Sequence, residues 1–224
     1  MSEAERIASG EFSKPRGELI ITVPIVFGRL HLTPVVVEFL KAYPEVSVRL
    51  LLTDQIVDLT ETHADLAVRI SKLPDSSMVA VPVSTIGFVV CASPAYLAKH
   101  GTPKHPSELD EHDCITRATL PTADAWPFRI GKGIKEFPVR RRLSVTTAEA
   151  AIEAARLGSG LIRVLRYQIA EAEKHGKLVA VLRDFEPDPL PLSLVYPNAS
   201  LIPLKLRAFL DFAVPRLKAR LKSL

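Results

Sequence analysis

The segment from Gly17 to Pro44 constrains the fold more than any other part of the chain. Apolar residues alternate with their neighbours along Gly17–Val23, and this period of two predicts a β-strand. From Leu32 to Leu40 the apolar residues recur at helical spacing on one stripe, so an amphipathic helix is predicted there, and Pro44 ends it. A strand followed directly by a helix is the unit from which α/β folds are built.

The same alternation continues after Pro44. A strand is predicted at Val46–Leu52, then the polar turn Thr53-Asp54, a short helix around Gln55–Glu61 and a strand at Asp65–Ile70. Strands that alternate with helices predict a parallel or mixed sheet covered by helices.

Two places indicate that the chain crosses between two lobes. The apolar stretch Met78–Ala92 predicts a strand pair broken near Ser84-Thr85, and a helix restarts after Ser93-Pro94. The three prolines at 187, 189 and 191 hinder both helix and central strand, so they mark a connector that returns to the first lobe. The predicted boundaries are 17–92 and 188–224 for the first lobe, and 93–187 for the second.

The second lobe carries several predicted elements before the chain returns. Thr146 and Glu149 form a capping box that opens a helix ending at Gly158. The other elements predicted for this lobe are strands at Cys114–Arg117, Trp126–Ile130, Lys135–Val139, Leu143–Val145, Leu161–Leu165 and Lys177–Leu182, and helices at Ala95–His100 and Tyr167–His175. After the chain returns to the first lobe, a last strand is predicted at Leu192–Tyr196 and a helix near Pro203–Ala213.

Six segments, taken in their order, resemble the effector-binding domain of LysR-type transcriptional regulators. They are GELIITVPIVFGRLHLTPVVVEFLKAYPEV, DLAVRI, CASPAYLAKHG, PSELDEHDCI, AARLGSGL and LVYPNASLIPLKLRAFLDF. The resemblance covers roughly residues 15–215, and it depends on the order of the segments because none of them is specific alone. It implies an α/β fold of two Rossmann-like lobes around a hinged cleft, as in periplasmic binding proteins of type II.

The resemblance also implies partners. A winged helix-turn-helix normally precedes such a domain through a linker helix, and residues 1–16 would be a remnant of that linker. We expect DNA binding only through that absent helix-turn-helix, a homodimer built on the first helix and the helix at 148–158, and possible tetramers at full length. The dispersed basic clusters, Arg140–Arg142 and the C-terminal lysines and arginines, are interpreted as solvated surface.

A small, anionic effector is the expected ligand. Helix N-termini follow Val23 and Val145, and such termini offer unpaired N–H groups to an anion. The candidate effector-binding residues lie at strand ends and helix starts: Val26, Phe27, Thr53, Arg69, Ile70, Ser71, Arg117, Thr146, Thr147 and Arg163.

Two of these candidates are arginines within apolar strands. Arg69 could pair with a ligand carboxylate, and an ion pair with Asp65 or another acid of the first lobe is equally compatible with the sequence. Arg163 departs from the family pattern, which has an apolar residue there. Arg163 is interpreted either as a ligand contact or as a residue in a structural ion pair or at an exposed edge. An arginine in a buried strand is costly unless it is paired.

Other function classes have less support. The six histidines and two cysteines form no spacing typical of a metal site or a nucleophile–base pair, so neither catalysis nor a cofactor is expected. No apolar run approaches a membrane span and no secretory signal is visible, which indicates a cytoplasmic protein. The alternatives are a solute-binding protein of a transporter and a small carboxylic-acid dehydratase on the same fold.

Overall fold

A computed structural model describes residues 14–55, 57–59, 61–73, 78–118, 124–198 and 201–222. Its contacts divide the chain into two compact units. Unit 1 runs to Ser84 and resumes at Pro191, and unit 2 comprises Thr85–Leu190.

The helices and strands of both units follow one another with short connections. In chain order they are β1 (Gly17–Val23), α1 (an α-helical turn Ile25–Phe27, a π-helical segment Gly28–Leu32 and an α-helical part Thr33–Ala42), β2 (Val46–Leu52), β3 (Leu66–Ile70), β4 (Met78–Ile86), β5 (Phe88–Ala92), α2 (Pro94–His100), β6 (Asp113–Arg117), β7 (Ala125–Ile130), β8 (Gly133–Pro138), β9 (Arg140–Val145), α3 (Ala148–Arg156), β10 (Leu161–Leu165), α4 (Arg166–Lys174), β11 (Val179–Val181), β12 (Leu190–Pro197) and α5 (Leu204–Leu221).

Unit 1 is built on a five-stranded sheet in the order β2-β1-β3-β12-β4. Strands β1 and β2 run parallel, with Gly17 opposite Val46 and Val23 opposite Leu52. Strand β3 is parallel to β1, whereas β12 is antiparallel to β3. The carboxyl ends of β1, β2 and β3 therefore meet at one edge of this sheet.

Helices α1 and α5 pack together in the core of unit 1. Phe39 of α1 meets Phe209 of α5 edge to face, with ring centroids 5.0 Å apart, and both side chains are fully buried. Gly28 permits α1 to approach β2, because a Cβ atom there would lie 2.8 Å from Leu52 Cδ2. The apolar stripe predicted for this helix is thus used inside unit 1.

Unit 2 contains a five-stranded sheet in the order β11-β5-β10-β6-β9 and a separate hairpin, β7-β8. Strands β9 and β10 run parallel to β6, and β5 runs antiparallel to β10. Apolar residues cover both faces of the sheet: the hairpin residues Trp126, Phe128 and Phe137 belong to one cluster, and Ala151 and Ala155 of α3 belong to the other.

The start of β10 depends on a glycine. Gly160 has φ +145°, and a Cβ atom there would lie 2.2 Å from the carbonyl oxygen of Asp113. Only glycine permits so close an approach of the two backbones where β10 joins β6.

Three sequence-based expectations differ from the structure. Residues 88–92 were placed in the first lobe, but β5 pairs with β10 and β11, so the crossing lies before Thr85. The N-cap of α3 is Thr147 rather than Thr146, because it is the Thr147 side chain that accepts a hydrogen bond from Ala150 N–H. No helix occurs among the described residues of 55–61, where Thr62 closes a turn onto Asp58 O. Most of the expected linker remnant, 1–13, lies outside the described residues.

Candidate functional site

The turn after β1 places the first two candidate residues in the core. Val26 is 1% exposed and Phe27 is fully buried, because α1 turns both side chains toward the sheet of unit 1. Their side chains are therefore not accessible to a solvent-borne effector, and only the backbone of this turn remains as a possible contact.

The N-terminus of α1 already receives a carboxylate from the chain itself. Asp54 Oδ1 accepts a hydrogen bond of 3.1 Å from Ile25 N–H. The neighbouring Thr53 donates its N–H to Val23 O at 3.0 Å and accepts from Gln55 N–H through its hydroxyl oxygen. An anion at this helix terminus would meet the negative charge of Asp54, a contact that the sequence did not predict.

Arg69 lies near the end of β3 and is half-buried. Its Nη2 donates a hydrogen bond of 2.6 Å to Val57 O, and burial lowers the pKa of its guanidinium. The expected alternative partner, Asp65, instead forms an ion pair with Lys205. Arg69 thus holds the segment after β2 in place, and no ion pair joins it to any acid among the described residues.

The two residues after Arg69 complete this edge of unit 1. Ile70 ends β3 and is half-buried, and Ser71 donates its N–H to Pro191 O at 3.1 Å. Both positions stand at the carboxyl end of a parallel strand, where α/β sheets generally bind ligands.

In unit 2 the ends of two parallel strands bring three candidates together. Arg117 ends β6 opposite Val145, the last residue of β9, and Ala118 N–H bonds to Val145 O at 2.9 Å. Arg117 is 8% exposed. Thr146 follows Val145 directly, and Thr147 starts α3. These residues therefore lie along one edge of the unit 2 sheet, beside a helix N-terminus.

Arg163 belongs to β10, the next parallel strand of the same sheet. Its guanidinium carbon lies 3.9 Å from the ring centroid of Phe88. Burial, and then the positive charge of Arg117, lowers the pKa of Arg163 to about 10. No acidic side chain in the described part of the chain forms an ion pair with Arg163, so the structural ion pair that the sequence allowed is not observed.

Phe88 and Asp54 contact candidate site elements, and neither was among the residues that the sequence predicted for the site. Phe88 looked like an ordinary strand residue, and its place under Arg163 follows from the antiparallel pairing of β5 with β10. Asp54 offered a signal, because a carboxylate directly after a strand and near a helix start is a common N-terminal partner.

Both cysteines and His112 lie inside unit 2. They contain no group of three histidine, cysteine, aspartate or glutamate side chains arranged to hold a metal ion. Cys91 and Cys114 are fully buried, and burial raises the pKa of both thiols to about 12, far from a reactive thiolate. The imidazole of His112 is 3.2 Å from Tyr96 OH, inside the fold rather than beside a nucleophile.

None of the described helices combines the length and the apolar character that a membrane-spanning helix needs.

Comparison with protein families identifies a match over most of the chain. The model of the LysR substrate binding domain matches residues 13–218. An HTH-type transcriptional regulator of Xanthomonas campestris pv. campestris (strain 8004) is 33% identical over 222 residues, which are 97% of this chain and 64% of that protein. The regulator YcaN of Escherichia coli (strain K12) is 31% identical, over 88% of this chain and 65% of its own length. The chain thus spans a little under two thirds of these curated relatives.

Solved structures show the same architecture. CrgA, a LysR-type transcriptional regulator from Neisseria meningitidis, matches with a TM-score of 0.82 and 27% identity, over 96% of this chain and 73% of that one. The isolated regulatory domain of CrgA matches with a TM-score of 0.80, over 91% of this chain and all of that domain. The expected fold class, mixed α/β with two lobes as in type II periplasmic binding proteins, is confirmed. The chain contains a LysR substrate-binding domain and belongs to the LysR family of transcriptional regulators.

Proposed function

We propose that this chain is the effector-sensing part of a LysR-type regulator, and that it binds a small anionic metabolite to control transcription. The observation that carries the proposal is the half-buried guanidinium of Arg163, which has no acidic partner among the described residues. An unpaired charge taken out of water costs several kcal/mol by order of magnitude, and a bound anion offsets that cost.

Further polar groups support an anion at the same edge of unit 2. Arg117 adds a second positive charge close enough to lower the pKa of Arg163. The N-terminus of α3, with Thr146 and Thr147, supplies backbone N–H groups and a partial positive charge. Within unit 1, Thr53, Arg69, Ile70 and Ser71 at the edge of its own sheet are proposed as effector-binding residues. Val26 and Phe27 contribute at most their backbone, because their side chains are buried.

The proposed partners follow from the relatives, which are named HTH-type regulators. In the whole protein, DNA is bound through a helix-turn-helix outside the matched domain, and this domain forms a homodimer in the cytoplasm. By itself the chain binds no operator specifically. Its basic surface is partly neutralised, since Arg140 pairs with Asp113 and Arg141 with Asp124 at 2.6 and 2.8 Å.

A ligand screen with paired variants tests the proposal. Wild-type protein is melted with carboxylates, aromatic acids and amino acids, because a ligand at 100 times its dissociation constant adds about 2.7 kcal/mol of stability. Affinity of any hit is then compared in Arg163→Met and in Arg129→Ala, an exposed arginine of the hairpin. Loss of a charge-assisted contact in Arg163→Met weakens binding roughly ten- to a hundredfold.

The ligand-free stability of Arg163→Met separates a binding role from a structural one. Because no acid pairs with Arg163, we expect the ligand-free variant to melt no lower than the wild-type protein. Unchanged anion affinity in Arg163→Met, or equal losses in Arg163→Met and Arg129→Ala, would refute the proposed anion site.

A further inference from the structure

A pocket lies beside α5 in unit 1 and shares no residue with the effector-binding residues proposed above. It is a cavity of about 480 Å³, lined by this helix, the edge strand β4 and the neighbouring strand β12. All of its lining residues belong to unit 1. Sites for small molecules generally measure about 300–1,000 Å³, so this pocket is large enough for a small metabolite.

Most residues that line the α5 pocket are apolar. They include Val81 of β4, Ile202 before α5, and Leu210 and Val214 of α5. Tyr196 of β12, which is 7% exposed, adds an aromatic side chain. Removing apolar surface from water is favourable, so this lining favours a ligand with an aliphatic or aromatic group.

Two opposite charges of α5 line the same pocket. Arg207 and Asp211 are both exposed, and residues four positions apart on a helix have Cβ atoms roughly 5–6 Å apart. The side chain of neither residue forms an ion pair or a hydrogen bond with any residue that the structure describes. By contrast, Arg216 of the same helix pairs with Glu38 at 3.2 Å. Both charges at the pocket are therefore available to a ligand.

The proline inside α5 adds to the acceptors at the pocket. Pro215 also lines it and has no N–H group. In a regular α-helix that N–H would donate to the main-chain oxygen of Asp211, four residues earlier. Asp211 thus offers a carboxylate and an oxygen that lacks this helical donor. A positively charged group is favoured there, and a negatively charged group is favoured one helical turn earlier, at Arg207.

The two charges together select the class of ligand. A ligand with a single charge is attracted by Arg207 or Asp211 and repelled by the other residue, whereas a zwitterion meets both with attraction. In an α-amino acid the ammonium and the carboxylate are attached to one carbon atom. Both groups can therefore face α5 while the side chain of the amino acid contacts the apolar residues of the pocket.

We propose that the α5 pocket binds a free α-amino acid with a large apolar side chain. Asp211 accepts hydrogen bonds from the ammonium of the ligand, and Arg207 donates hydrogen bonds to its carboxylate. The apolar side chain packs against Val81, Leu210 and Val214. The inference is independent of the anion site, and it gives the domain a second ligand class to sense.

Calorimetric titration of the whole chain tests the ligand class. L-leucine and L-phenylalanine are compared with three analogues of leucine: 4-methylpentanoate lacks the amino group, 3-methylbutylamine lacks the carboxylate and glycine lacks the side chain. We expect one or both of the amino acids to bind about tenfold more tightly than each analogue. An analogue that binds as tightly as both amino acids, or no binding of either amino acid, would overturn the inference.

Variants of α5 test the position of the site. Arg207→Gln and Asp211→Asn each remove one charge and keep the shape of the side chain, and each should weaken amino-acid binding about fivefold. Without ligand both variants should melt like the wild-type protein, because neither side chain pairs with a described residue. Lys218→Gln, at an exposed residue of α5 outside the pocket, is the matched control and should keep the wild-type affinity.

The analogues then show which charge meets which group. Asp211→Asn should bind L-leucine and 4-methylpentanoate with similar affinity, because the carboxylate that recognises the ammonium is absent. Arg207→Gln should likewise lose the preference for L-leucine over 3-methylbutylamine. If either variant keeps the wild-type preference, the corresponding contact does not exist and the inference is wrong.

The outcomes separate this inference from the proposed function. If Arg163→Met abolishes amino-acid binding and Arg207→Gln leaves it unchanged, the amino acid occupies the anion site and the α5 pocket is not its site. If no amino acid binds, but a carboxylate binds in a manner that depends on Arg163, the inference fails and the proposed function stands. Loss of amino-acid binding in Arg207→Gln and Asp211→Asn alone supports the inference whatever the result at Arg163.

Discussion

Lys205 Nζ lies 3.0 Å from Asp65 Oδ1, and this ion pair joins the first turn of α5 to the residue before β3, 140 positions earlier in the chain. Asp65 Oδ2 also accepts a hydrogen bond of 2.8 Å from Ile20 N–H. The Lys205 ammonium donates in addition to Glu18 O. One carboxylate thus ties together β1, β3 and the C-terminal helix of unit 1.

Asp65→Ala should destabilise unit 1 clearly. The substitution leaves the half-buried Lys205 ammonium and the Ile20 N–H without Asp65, and such losses cost about 2–4 kcal/mol together. Urea denaturation measures the effect as a lower midpoint. Arg49→Ala is the control, because its pair with Glu18 is exposed and is worth at most about 1 kcal/mol. Equal midpoints for the two variants would contradict the role assigned to Asp65.

His31 should make the stability of the protein fall in mild acid. Burial, and then the positive charge of Arg220, lowers the pKa of His31 from 6.5 to about 4. The unfolded chain takes up this proton near pH 6.5, whereas the folded protein resists until about pH 4. Stability is therefore lost as the pH falls through that window, by up to about 3 kcal/mol.

Thermal melts of wild type and His31→Phe between pH 7 and pH 4.5 isolate this contribution. His31 packs against Phe27, with ring centroids 5.1 Å apart, so an aromatic replacement suits the site. We expect a flatter pH profile for His31→Phe and an unaltered profile for His175→Ala, an exposed histidine. Parallel profiles for wild type and His31→Phe would show that another group is responsible.

The two cysteines should not react in the folded protein. Both thiols are fully buried, and burial raises their pKa to about 12, so almost no thiolate exists at pH 8. A thiol reagent such as iodoacetamide, followed by mass spectrometry, should modify neither Cys91 nor Cys114 within minutes at pH 8. In denaturing urea both should be alkylated. Rapid labelling of the folded chain would mean that one thiol becomes exposed and ionised.

Self-association should involve the exposed apolar residue of α1. Most apolar residues of the α1 stripe are buried in the core of unit 1, but the side chain of Val37 is 47% exposed. We expect a homodimer at tens of micromolar protein in light scattering, and a shift toward monomer in Val37→Glu because an interface disfavours a buried, unpaired charge. Ile134→Glu, at a hairpin residue that is 58% exposed, should remain dimeric. A monomeric wild type would contradict the dimer outright.

Local patterns in the sequence were sufficient for much of the fold. The period of two along β1, the helical stripe of α1 and the apolar run Leu161–Leu165 predicted their elements directly, because side-chain periodicity follows from backbone geometry. The proline-rich connector also indicated the return to unit 1, whereas the break at Ser93-Pro94 lies inside unit 2. Side-chain periodicity and the effects of proline depend on residues a few positions apart, so the sequence alone is enough to predict them.

The boundary of unit 2 and the contacts of the site were decided by tertiary structure. Whether β5 pairs within the first or the second sheet depends on strands distant in sequence, and it pairs with β10 and β11. The sequence also did not determine the partners of Arg69 and Asp65. A charged side chain can reach several groups, and the tertiary packing selects one of them. Sequence alone identified Arg163 as unusual. Only the antiparallel register of β5 and β10 puts the Phe88 ring against its guanidinium.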